Sequence, residues 1–254
     1  VPPVDRRTVL RSGALALGAI VVPTTIATAR PRCLVVVRLN GGADGLSMVA
    51  PWRDAGCRRA RPTIALEPPG RGGRAAIDLD GTVGLHPRLA PILPLFRQHA
   101  LDVFPACGLP AATRSHLVDG EALDGLLVRL GAPGRATCAG PPRPLTEVLP
   151  EIAARVKEGS APAVCVVDSC GWDHHGGQRH ADGPLATALD DLARGLASFA
   201  RTLGPDLHQA TLATVSEFGR TVRENGLGGT EHGHATAMFV LGGAARRGRV
   251  IGAW

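Results

Sequence analysis

Five short runs, at 34–39, 101–104, 163–167, 211–215 and 238–241, are apolar, the first of them β-branched, and most are continuous rather than alternating. A strand that shows water one face alternates, whereas a continuous apolar strand is covered on both faces, which is the habit of a mostly parallel sheet flanked by helices. The first run ends in Asn40-Gly41-Gly42, a strand passing into a glycine turn. Between the third and fourth runs, Leu185, Leu189, Leu192, Leu196, Phe199 and Leu203 repeat at helical spacing, predicting a crossover helix over 184–203. A second helix is expected over 86–98 despite Pro91 and Pro94. Residues 53–83 and 131–146 read as surface connection. With 254 residues, 44% of them apolar, the chain can bury the core of one large domain without disulfides.

The first 29 residues read as an address rather than as part of the fold. Arg6-Arg7-Thr8-Val9-Leu10-Arg11 gives a twin-arginine start, residues 14–22 a short apolar middle, and Ala27-Thr28-Ala29 a small-x-small end, the layout of a twin-arginine secretory signal. The expected organisation is therefore a leader over 1–29 and one α/β domain over 30–254, exported to the periplasm, envelope or medium by the twin-arginine machinery. Without the leader's three arginines and one aspartate the formal charge falls from +6 to +4. The remaining arginines are scattered, and five Phe and three Trp offer few stacking platforms, so nucleic acid is set aside as a partner. No apolar run reaches the roughly 18 to 20 residues of a membrane span. Six cysteines, at 33, 57, 107, 138, 165 and 170, contain no CxxC and show no disulfide framework.

Four polar strings follow four of the expected strands, where parallel sheets bind ligands. Asn40 to Ser47 turns on glycines and exposes Asp44. Ala112-Thr113-Arg114-Ser115-His116 sets hydroxyls before a helix, either as a plain cap or as an anion cradle. In Gly171-Trp172-Asp173-His174-His175-Gly176, Asp173 and His175 are two residues apart and point to one side in extended backbone. The fourth joins Glu217-Phe218-Gly219-Arg220 to Glu231-His232-Gly233-His234, again with histidines two apart. Carboxylates and imidazoles converging from several strand ends suit a site for zinc, manganese or iron, read here as polynuclear.

The twin-arginine start, residues 34–51, Leu85-His86-Pro87, Thr113-Arg114-Ser115-His116, Gly171 to Gly176, Glu217 to Thr221, Thr230 to His234 and the glycine-spaced end resemble the exported bacterial family catalogued as domain of unknown function 1501. That family in turn resembles the alkaline phosphatase and sulfatase superfamily. The resemblance implies an alkaline-phosphatase-like α/β sandwich, with a C-terminal portion beyond Trp254. It implies Asp44, Asp173, His175, Glu217, His232 and His234 as ligands of divalent metal, zinc foremost. Ser115 becomes the nucleophile candidate, Thr113 its second choice, and Arg220 a clamp for the substrate anion. The family more often has Asp where Glu231 stands and Thr where His174 stands. The expected activity is hydrolysis of a small phosphate or sulfate ester; the alternative is a non-catalytic exported module that keeps the fold and a structural ion.

Overall fold

The computed structural model describes residues 33–70, 72–110, 112–132, 143–179, 182–245 and 248–252. The expected leader therefore lies outside the described residues. The main sheet has five strands: β1 (Cys33–Asn40), β5 (Leu101–Cys107), β6 (Val164–Cys170), β7 (Ala210–Val215) and β10 (Thr236–Gly242), in the order β5-β10-β7-β1-β6. β1 is parallel to β6 and β7, while β10 is antiparallel to β7 and β5. Four strands thus share one direction and β10 runs against them, which makes the sheet mixed. The reversal comes from the connection: β10 follows a hairpin, β8 (Gly219–Glu224) with β9 (Thr230–Gly233), and not a crossover helix. Short strands β2 (Val49–Ala50), β3 (Ile77–Asp78) and β4 (Gly84–Leu85) form a small separate sheet.

Both faces of the main sheet are covered, as continuous strands require. Val35, Val37 and Leu39 of β1 join a core with helices α5 (Leu145–Glu158) and α6 (Pro184–Leu203), while Val36 joins Leu123 and Leu127 of α4 (His116–Arg129) on the opposite face. The six apolar residues predicted to line α6 are all fully buried, each worth about 1.5–3 kcal/mol of transfer free energy. Asp191 of α6 accepts the Leu145 amide at 2.9 Å at the start of α5. Gly159, at φ 72, ends that helix in the left-handed conformation glycine tolerates best.

Three elements depart from the sequence reading. Residues 87–92 wind as a 3-10 helix that passes into a five-residue α-helix, α3 (Leu93–Arg97), because Pro91 and Pro94 lack the amide protons a continuous helix needs. Segment 53–83 is not all surface: it holds helix α2 (Ala55–Ala60), and its Arg61 is one of the most buried side chains. Helix α5 starts at Leu145, inside a stretch read as connection, and continues through Pro150. Of the described cysteines, 33, 57, 107 and 165 are free and Cys170 is disulfide-bonded. No helix among the described residues is long and apolar enough to cross a membrane.

Candidate metal centre

Because β1, β5, β6 and β7 point the same way, the loops that follow them emerge at one edge of the sheet. β10 starts at that edge, with Thr236 opposite Cys107, and so brings the β8–β9 hairpin to the same place. The loops are pinned together. After β1, Gly41 and Gly42 have φ of 128 and 73, and a Cβ on Gly42 would run into the Phe218 ring. Trp172, fully buried, donates its amide to the Asn40 carbonyl at 3.2 Å, laying the loop after β6 against the end of β1. Arg220, whose side chain is 1% exposed, donates to the carbonyls of Gly42 (2.6 Å), Thr230 (3.0 Å) and Gly41, and forms an ion pair with Asp173.

Onto this frame converge three imidazoles and one carboxylate. His116 Nε2 lies 3.4 Å from Asp173 Oδ2. His232 Nε2 lies 3.4 Å and His175 Nε2 3.0 Å from Asp173 Oδ1. The Nε2 atoms of His175 and His232 are 3.0 Å apart. His116, Asp173 and His232 each present a ligand atom within 4.8 Å of the others. The rings of His116 and His232 lean on Phe218, at centroid distances of 4.8 and 4.5 Å.

The other nitrogen of each ring decides what these Nε2 atoms are. His116 Nδ1 meets Glu217 Oε1 at 3.0 Å, His175 Nδ1 meets Glu231 Oε2 at 2.9 Å, and His232 Nδ1 meets the Arg114 carbonyl at 2.9 Å. Ionised carboxylates and carbonyls only accept, so each imidazole carries a proton at Nδ1, and in the neutral form of the ring the lone pair is then at Nε2, on the side of Asp173. Four acceptors then face one another. Donors of a tetrahedral zinc shell with bonds of 2.0–2.1 Å stand about 3.3 Å apart, close to the separations found here. An outer carboxylate or carbonyl holding each histidine's distal N–H is the usual support of a metal ligand. Burial tends to raise the Asp173 carboxyl, but the Arg220 guanidinium, by hydrogen bond and charge, outweighs it and holds the group below the ordinary carboxylate range. Glu231 is held low by a hydrogen bond from Asn225 and by His175.

The expected site residues divide sharply. Asp173 and His232 meet with His116 in one group of ligand atoms, and His175 adjoins it, its Nε2 3.0 Å from Asp173 and from His232. Glu217 stands behind it: buried, it accepts from the Gly41 amide (2.8 Å), the Ser216 hydroxyl (3.0 Å) and His116. Arg220 is directed at backbone carbonyls and Asp173. The Ser115 hydroxyl accepts from the Val118 amide at 3.4 Å as the cap of α4, and Thr113 donates through its hydroxyl to Asp119 at 3.0 Å. His234 is exposed and absent from the set. Asp44 lies elsewhere, buried against Arg61, Ser47 and Gln178. Among the described residues the donors make one compact group, where the sequence reading expected several metals. His116 was legible only as part of the Thr113–His116 string; its place as the first residue of α4, beside two histidine strings, was the available signal. His174 is buried, its imidazole pushed below its ordinary value first by desolvation and then by Arg220, and it stays out of the set.

Residues 149–254 match the family described as protein of unknown function (DUF1501). No curated protein and no solved structure matches the chain. The DUF1501 match contains Asp173, His175, Glu217, Arg220, Glu231 and His232, whereas Asp44, Thr113, Ser115 and His116 precede it.

Proposed function

We propose that this is an exported metal-dependent hydrolase of phosphate or sulfate esters. One observation carries the reading: His116, His232 and Asp173 present ligand atoms within 4.8 Å of one another, His175 Nε2 lies 3.0 Å from both His232 and Asp173, and an acceptor holds the Nδ1 of each imidazole. His116, His175, His232 and Asp173 are the residues that would hold a divalent cation, and zinc suits a set of nitrogens and one oxygen. When bound, such a cation supplies Lewis acidity toward an ester oxygen. The protein's part is to keep protons at Nδ1 through Glu217, Glu231 and the Arg114 carbonyl, and to fix Asp173 through Arg220. His116, His175 and Asp173 are each about two-fifths exposed, which leaves one side open to substrate. Ser115 remains the nucleophile candidate because it directly precedes His116 and its 3.4 Å cap bond is long.

The test is metal analysis of purified protein, followed by assay on aryl phosphate and aryl sulfate esters. About one equivalent of metal and turnover that vanishes in His232→Ala and Asp173→Ala are expected. Protein that takes up no zinc, manganese or cobalt at pH 8 would overturn the metal reading. The alternative, a non-catalytic exported module with a structural ion, draws support from Arg220 and Thr113, whose donors are committed to the protein itself. Its signature is bound metal with no turnover across the ester panel and no effect of Ser115→Ala.

A further inference from the structure

Asp119, in the first turn of α4, is only 2% exposed, and its carboxylate is spent on one short loop. Oδ1 accepts from the Thr113 amide (2.8 Å) and hydroxyl (3.0 Å). Oδ2 accepts from the amides of Arg114 (2.6 Å) and Ser115 (3.2 Å). Three consecutive amides pointing at one carboxylate wrap the chain around it. At the middle of that wrap, Arg114 has φ 67, a left-handed conformation that residues with a Cβ disfavour. The same twist places the Arg114 carbonyl 2.9 Å from His232 Nδ1.

We propose that Asp119 is a positioning residue for the metal centre, acting through the Arg114 carbonyl on the tautomer and orientation of His232. The assignment rests on the metal reading for its purpose but not for its mechanism. A carboxylate that merely capped α4 would require neither a left-handed arginine nor a carbonyl aimed at a distant histidine. Sequence alone hides the link, since Asp119 and His232 are 113 positions apart.

The test uses Asp119→Asn, which keeps the shape but turns a donor toward at least one pair of loop groups. Two readouts are followed: the His232 ring nitrogens by nitrogen-15 NMR of the metal-free protein, and cobalt(II) binding by its visible spectrum. In the parent protein His232 is expected wholly as the Nδ1–H tautomer; in Asp119→Asn the tautomers mix, and cobalt affinity falls about 10- to 100-fold. Arg114→Gly keeps the carbonyl and removes the left-handed penalty, so it should bind like the parent and restore part of the loss when combined with Asp119→Asn. In a His232→Ala background, Asp119→Asn should cost little further affinity. An unchanged His232 tautomer in folded Asp119→Asn overturns the proposal, as does an undiminished affinity loss in the His232→Ala background. A tautomer shift in a protein that binds no cobalt would instead sink the metal reading and leave the positioning role standing.

Discussion

Two acidic clusters sit near the same edge of the sheet and were read from sequence as parts of one site, yet they are opposites. Around Asp44, donors and acceptors balance: both carboxylate oxygens are taken by Arg61 at 2.6 and 2.9 Å, with Ser47 at 2.6 Å and Gln178 at 2.7 Å. Arg61 in turn uses all five N–H groups, on Asp44, Ser47, Thr221 and Val222. Around Asp173, acceptors outnumber donors and the group faces solvent. Residue type does not separate a structural aspartate from a ligand; the ratio of donors to acceptors within reach does. A closed cluster stabilises the fold, and an open one invites a cation.

The contrast can be broken most forcefully at Arg61. Arg61→Met should destabilise the protein by about 3–5 kcal/mol in chemical denaturation, because it leaves a buried carboxylate without its counter-charge. Equal stability of this variant and the parent would mean that Asp44 is not closed at all. Next in size is the response to metal: zinc at a hundred times its dissociation constant should raise stability by about 2.7 kcal/mol in the parent, and by almost nothing in Asp173→Asn. Without metal, Asp173→Asn should cost less than Arg61→Met, because the buried Arg220 keeps its three backbone carbonyls when its carboxylate partner is neutralised.

A smaller effect is expected in acid. Burial alone would push the Asp44 carboxyl up, but Arg61, Ser47 and Gln178 together hold it below the ordinary range. Its folded value is depressed, so its stabilisation is present above the unfolded value near 4 and is lost as pH falls through the lower folded value. Asp44→Asn should flatten that acid limb, and Glu231→Gln, whose carboxyl is also held low but lies exposed, should flatten it less. Glu231→Gln should act mainly on metal affinity, weakening it by about tenfold, near the lower limit for an outer-shell partner.

What the residues disclose follows the same division. The leucines of α6 were legible because burial repeats with helical period, and the strands because apolar runs covered on both faces do not alternate. Asp173 and His175 were legible because two-residue spacing puts them on one side of an extended chain. Asp44 looked like a ligand because its partner lies 17 positions away, in a segment whose arginines and glycines suggested surface. Glu217 sat in the right string, but its orientation was fixed by the Gly41 amide, which no side-chain pattern records. The direction of β10 was hidden as well, since an apolar run reads the same both ways and only the preceding hairpin reverses it.

Arg220 ties the loop after β1, the loop after β6 and the β8–β9 hairpin to one guanidinium. Such a tie does the work of a cross-link without sulfur. A guanidinium keeps its charge across the whole physiological range, and no thiol or oxidant can open its bonds. The bond at Cys170 depends on the redox state of its surroundings, whereas the frame beneath the histidines does not. The frame of the candidate centre therefore keeps its shape in reducing and oxidising surroundings alike.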